Sequence, residues 1–490
     1  SPETDESTRR ISVGEFVRSF CPTLFKRWEP TWWLNSGHLQ TFWSSAGDFS
    51  DVDVLKFDRT LLELPDGGVI GVDFSHPEGK EDPTTPIVVV LPGLTGGVSI
   101  SFRFCSQASY VRNLLAIVTG RQSEGGLGYR GVVVNSRGCE CGNVPLRTPQ
   151  MSAGSPDDLC SSLLYIASIY PNAPIYAVGF SLGATVLAKY LGQEGERSRI
   201  RAGIVIACPW DLQKNSNILE SRFFYRRVYS RALAKSYLAL LDRSIGINPP
   251  SFVVPDSHYL NPHLSIIRTI KQPTFTQVNT HLTSIIGGAP PVFPHARVED
   301  FYKWASCAED VLNVRVPLLC VNADDDPIVK ELPDNEVKQN DAGWVTLVVT
   351  KGGGHLGWFE KDAKRRWITK PVVEWLKAIN EEVVWEDAPS ALEVSLEKVI
   401  SSTSASSSDG DRTAIEAGLT ASPGSSGMST PLSPSPTLNG VSTPAVPSSG
   451  EERGSKFVMA LPDNHLIGYR VLATGLDPDH TTIPGGYAGL

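Results

Sequence analysis

The residues whose types and spacing carry chemistry are a serine, a histidine and a run of aspartates. Ser181 sits in Gly179-Phe180-Ser181-Leu182-Gly183, a G-x-S-x-G pentapeptide with an apolar run before it, Ile175 to Val178, and a helical pattern after it, Ala184 to Leu191. A sharp strand-to-helix turn leaves no room for side chains at the two glycines and pushes the serine hydroxyl out at a sheet edge. The pentapeptide alone is weak, since a chain of this length contains one by accident with a probability of about 0.2; its setting gives it weight. A serine hydroxyl is a poor nucleophile near neutral pH and needs a base, usually histidine, whose tautomer a carboxylate fixes. In sheets that present a nucleophile this way the chain order is serine, acid, histidine, with the acid after one late strand and the histidine after the next. Leu318 to Val321 runs into Asn322-Ala323-Asp324-Asp325-Asp326-Pro327, and Val345 to Val349 into Gly352-Gly353-Gly354-His355. Ser181 is therefore expected as nucleophile, His355 as general base and Asp326 as the acid. Asp326 is chosen because it directly precedes Pro327-Ile328-Val329, where the chain turns away; Asp325 is the alternative.

Acyl transfer at a serine passes through an oxyanion that two backbone N–H groups should meet. One is expected from Leu182, directly after the nucleophile, and the other from Leu94 in Pro92-Gly93-Leu94-Thr95-Gly96-Gly97. That glycine-rich stretch lacks the Gly-Lys-Ser/Thr ending of a phosphate loop. Cys139 and Cys141 have no second pair at ligand spacing, and the nine histidines form no H-E-x-x-H. Neither a metal nor a cofactor is expected.

To bring these groups together the chain needs a largely parallel sheet. Ile87 to Leu91, Gly131 to Val134, Ile175 to Val178, Ile204 to Ile206, Leu318 to Val321 and Val345 to Val349 are short, β-branched and apolar, as strands buried on both faces are. Helical segments lie between them: Asp157 to Tyr170, Leu182 to Leu191, Val298 to Val314 and Arg366 to Asn380. Leu61 to Leu64 and Val69 to Phe74, separated by Asp66-Gly67-Gly68, read as a hairpin. Four segments follow: an aromatic-rich arm over residues 1–53; an α/β domain over 54–388 with a cap inserted at about 209–294; a Ser/Pro-rich disordered linker over 389–454; and a short segment of unknown role over 455–490. The arm, with Phe16, Trp28, Trp32, Trp33 and Phe42, reads first as packing on the main domain and second as an acyl-binding or membrane-facing surface. Arg137 reads as a tie between loops.

The net charge of −9, without basic blocks, argues against nucleic acid. Eight dispersed cysteines fit a reducing, intracellular setting, cytosolic or peripheral on a membrane or lipid droplet. No run approaches the roughly 18 apolar residues that span a bilayer.

Taken together, Trp33 to Thr41, Leu91 to Gly97, Asn135 to Gly138, Asp158, the Gly179 to Gly183 elbow continuing to Leu191, Ala323 to Pro327 and Gly353-Gly354-His355 resemble one branch of the α/β-hydrolase superfamily. That branch holds the fungal medium-chain fatty acid ethyl ester synthase/esterases, the plant embryogenesis-associated hydrolases and the animal abhydrolase-domain phospholipases. The resemblance, running from about residue 28 to 383, implies the α/β-hydrolase fold and a serine esterase or lipase acting on short- to medium-chain acyl esters. It further implies acyl transfer to an alcohol and a small lipid-like ester as partner. A phospholipase, a thioesterase or a non-catalytic binding protein on the same fold are the alternatives.

Overall fold

In the computed structural model, residues 11–77, 82–94, 107–137, 154–241, 258–288, 290–340, 343–383, 385, 456–460 and 466–476 are described. The linker at 389–454, the Cys139 and Cys141 pair, and Thr95 to Gly97 lie outside them. Ten strands form one sheet: β1 Asp58–Glu63, β2 Val69–Ser75, β3 Ile87–Leu91, β4 Arg130–Val134, β5 Ile175–Phe180, β6 Ile200–Ile206, β7 Leu318–Ala323, β8 Val345–Thr350, β9 Lys456–Ala460 and β10 Leu466–Leu476. Their order is β8-β7-β6-β5-β3-β4-β2-β1-β10-β9. The block β8-β7-β6-β5-β3-β4 is parallel throughout, whereas β2, β1, β10 and β9 are added antiparallel.

Strand period and burial explain the layers. Alternate residues of β3 point to opposite faces: Val88 and Val90 join the core with the helices Ser109–Thr119 and Thr369–Glu381, while Ile87, Val89 and Leu91 join the core with Asp157–Ile169 and Leu182–Glu194. All five are buried, which is why this stretch is uniformly apolar. The helix expected over Val298 to Val314 is two pieces, Val298–Ala305 and a 3-10 turn at Glu309–Asn313. It breaks because the N–H groups of Cys307 and Ala308 donate to the Trp210 carbonyl at 3.0 and 3.2 Å instead of along the helix.

Within the unit formed by Ser1–Trp385 and Gly454–Leu490, β10 lies on β1, and Tyr469 packs edge-on against Tyr165 of the helix Asp157–Ile169. Arg137 is buried and grips Asp158 at 2.7–3.1 Å and Asp66, tying the β1–β2 turn to that helix. The arm divides by face: Phe16 and Trp28 are buried in the core, whereas Trp32 and Phe42 are exposed. Among the described residues no helix is long and apolar enough to cross a membrane.

Because β5, β7 and β8 are parallel, Ser181, Asp326 and His355 leave the sheet at the same edge. β8 is three strand steps from β5, roughly 14 Å at the usual spacing. The segment after β8 must therefore carry His355 back across β7 and β6.

Candidate active site

The elbow is built by close approach. A side chain at Gly183 would come within 2.2 Å of the Leu91 carbonyl oxygen, so glycine lets the helix Leu182–Glu194 start tight against β3. Ser181 itself has φ 50° and ψ −118°, a strained conformation for a residue with a Cβ. It is held by its N–H donating to Ile206 O at 2.9 Å, while its carbonyl accepts from Ala184 and Thr185 of the following helix.

The return path from β8 depends on glycine in the same way. Gly352, Gly353 and Gly354 all have φ in the left-handed range, and a Cβ on Gly354 would stand 2.4 Å from Gly37 O. The three aspartates organise this loop, each at a different point. Asp324 accepts from Gly352 N at 2.8 Å and pairs with Lys351; Asp325 accepts from Gly354 N at 2.8 Å; Asp326 faces the imidazole of His355, Oδ2 to Nδ1, at 2.8 Å. The other oxygen of Asp326 accepts from Ile328 N and Val329 N at 2.7 and 3.0 Å, so the fully buried carboxylate has no freedom to swing. A carboxylate at Nδ1 accepts a hydrogen bond from the N–H there, which keeps the ring proton on Nδ1 and leaves Nε2 as acceptor. That nitrogen lies 2.8 Å from Ser181 Oγ.

Two residues of the arm that were not singled out as site residues complete the support. Thr41 Oγ1 accepts from the His355 N–H at 2.8 Å and donates to Gly37 O at 2.6 Å. Gln40 donates to Leu34 O at 2.7 Å and accepts from Phe359 N at 2.8 Å, fastening the helix Gly37–Ala46 to the loop beyond His355. The signal for both lay in the Trp33 to Thr41 stretch that carries the family resemblance. Arg366, which left no such signal, donates to Leu356 O, Asn113, Ser44 and Ser109 and lies 4.4 Å over the Phe359 ring. Burial pulls its guanidinium down to about 9, a cation held by dipoles and ring faces behind the histidine turn.

Ser181 and His355 open onto a cavity of about 650 Å³, which Leu94 and Leu182 also line. Leu182 is the first residue of its helix, so its N–H has no partner within the helix. The neighbouring Gly93 N–H is committed to the Tyr110 hydroxyl at 3.0 Å. The cavity wall is mostly apolar, with Leu39, Phe42, Leu219, Phe224, Leu233 and Phe275 among its residues. None of its described lining residues is Asp, Glu, Lys or Arg. His38 joins the arm to the cap across this space, its Nδ1 2.5 Å from the Tyr229 hydroxyl. No group of three or more metal-binding side chains occurs among the described residues.

A mostly parallel sheet with a serine on a strained strand-to-helix turn is the α/β-hydrolase fold, and a sequence model of that fold matches residues 86–246. The chain is an α/β-hydrolase-fold protein, and its curated relatives lie in the branch its motifs resemble. The monoacylglycerol lipase of Saccharomyces cerevisiae is 27% identical over 422 residues, covering 77% of this chain and 87% of the relative. The medium-chain fatty acid ethyl ester synthase/esterase 2 of the same yeast is 28% identical, covering 77% and 92%. A phospholipase of Bos taurus, ABHD3, is 28% identical, covering 71% and 77%.

Proposed function

We propose that this chain is a serine esterase or lipase for short- to medium-chain acyl esters of uncharged alcohols, working through an acyl-enzyme at Ser181. The observation that carries this reading is the Ser181–His355–Asp326 relay, at 2.8 Å for each link, opening onto a mostly apolar cavity with no charged residue among its described lining. As Oγ bonds to the ester carbon, its proton passes to His355 Nε2, and the positive ring is stabilised by Asp326. The carbonyl oxygen gains the negative charge and turns toward the N–H groups of Leu182 and Leu94. Collapse of this intermediate breaks the ester C–O bond, and the departing alkoxide takes the proton from His355. Water, or an alcohol that enters first, then loses its proton to Nε2 and attacks the acyl carbon; the acyl C–O bond to Ser181 breaks and His355 returns the proton to Oγ. Hydrolysis and acyl transfer thus share one intermediate, in keeping with relatives named as a lipase and as a synthase/esterase.

The uncharged cavity favours neutral esters over substrates whose charged head would have to enter it. The relative named as a phospholipase makes that class the alternative. Peripheral contact with a lipid surface is part of the proposal: Phe42 and Phe224 line the cavity and are 67% and 53% exposed, Phe223, next to Phe224 in sequence, is 77% exposed, and Arg222, Arg226 and Arg227 surround the Phe223–Phe224 pair in sequence.

The test is labelling of the wild type and Ser181→Ala with a fluorophosphonate, followed by p-nitrophenol release from butyrate, octanoate and palmitate esters with and without ethanol. Labelling lost in the variant, a medium-chain optimum and ethyl ester formed with ethanol are expected. A folded wild type that takes no label sinks the reading in favour of a binding protein on this fold.

A further inference from the structure

One wall of the cavity is polar, and its hydrogen bonds do not close on themselves. Asn215, Ser216, Tyr302, Asn279, Thr283 and Tyr237 all line the cavity and all are more than nine-tenths buried. The inner members satisfy one another: Ser216 Oγ and Asn279 Nδ2 both donate to the Tyr302 hydroxyl, at 3.0 and 3.1 Å, and Thr283 Oγ1 donates to Asn279 Oδ1 at 2.9 Å. The two ends are different. Asn215 Oδ1 accepts from Lys330 N at 3.1 Å. That backbone donor fixes which way the amide faces, and Asn215 Nδ2 then has no hydrogen-bond partner. At the other end the Tyr237 hydroxyl lies beside the Thr283 hydroxyl, whose own proton goes to Asn279, so the Tyr237 proton can turn to Thr283 while no donor meets the Tyr237 oxygen. A buried donor such as Asn215 Nδ2, or an acceptor such as the Tyr237 oxygen, is destabilising when left without a partner, and an apolar acyl chain would leave both groups as they are.

We infer that this arc is a subsite for an uncharged, hydroxyl-bearing part of the substrate, with Asn215 and Tyr237 setting the preference for a glycerol ester over a simple alkyl ester. The free hydroxyls of a glycerol ester offer lone pairs to Asn215 Nδ2 and a proton to the Tyr237 oxygen, whereas an ethyl group offers neither. The inference rests on the serine-esterase reading and adds the residues that choose the alcohol.

The experiment compares kcat/KM for monooctanoylglycerol and ethyl octanoate in the wild type, Asn215→Leu and Tyr237→Phe. The glycerol-to-ethyl ratio is expected to fall about tenfold in Asn215→Leu, the scale of one lost hydrogen bond, and less in Tyr237→Phe. Asn215 also holds the backbone just past Asp326, so a merely structural role would lower both substrates together. An unchanged ratio in both variants overturns the subsite, and Tyr237→Phe keeps the test open if Asn215→Leu does not fold. Fluorophosphonate labelling of each protein separates this failure from failure of the esterase reading: a labelled enzyme with an unchanged ratio has the acyl chemistry without the subsite.

Discussion

The two walls of the cavity are built on different principles. On the sheet side, each residue of the relay is fixed by main-chain contacts: Ser181 by Ile206 O, Asp326 by two consecutive N–H groups and His355 by Thr41 through its own N–H. Behind them lie the two large cores on either face of the sheet. The cap wall instead rests on its own small cluster, including Tyr237, Leu240, Leu264, Val278, Leu282 and Ile286. Two of its helical stretches, residues 223–241 and 275–286, are not regular α-helix throughout but are wound as π-helix at Arg226–Ser230 and Asn279–Thr283. Such segments displace side chains from regular register and recur at functional sites. On the proposed reading, chemistry that needs sub-ångström placement sits on the rigid wall, and selection of substrate falls to the wall with the smaller core.

Substitutions can break this contrast. The largest effect is expected from Ser181→Ala, which should lower kcat by at least about 10⁴-fold while leaving thermal unfolding little changed. Next, Asp326→Asn should lower kcat by about 10³- to 10⁴-fold, because an amide supports the wrong imidazole tautomer. Asp325→Asn should cost less than about tenfold, since the new side-chain oxygen can still accept from Gly354 N. Equal losses would overturn the assignment of Asp326. Thr41→Val removes the acceptor from a buried His355 N–H and should reduce kcat by about tenfold, with Thr41→Ser restoring most of it.

On the cap side the effects are smaller and of another kind. Phe223→Ser combined with Arg227→Gln should reduce sedimentation with anionic phospholipid vesicles about tenfold, with hydrolysis of soluble p-nitrophenyl butyrate changed less. Acid should weaken this wall first. Burial lowers the pKa of His263, with His281 adding to the effect, and burial also lowers that of His258. The unfolded chain then binds more protons than the folded one as pH falls below about 6.5, so stability is lost in that direction. Denaturant midpoints at pH 7.5 and 5.5 measure the loss, and His263→Gln should make it shallower.

Local pattern was enough for the parallel block, the elbow and the histidine after three glycines. Uninterrupted β-branched runs are stable as strands only when both faces are covered, and G-x-S-x-G between such a run and a helix has few other backbones open to it. Consecutive aspartates carry no such pattern. Their identical side chains acquire separate partners, Gly352 N, Gly354 N and the His355 ring, only after the loops beyond β7 and β8 have been laid side by side. The roles of Thr41 and Gln40 were hidden for the same reason although their stretch carries the resemblance, since their partners lie more than 300 residues further along the chain. The cap is the extreme case: amphipathic helices without a repeating sheet to order them can pack in several ways, and composition does not choose among them. The amino-acid sequence alone therefore determined the sheet, the edge at which the candidate site lies, and the placing of a serine and a histidine at that edge. Which aspartate faces the imidazole, what holds the histidine and what shape the substrate meets were decided by tertiary packing, because each depends on contacts between segments that no local propensity relates.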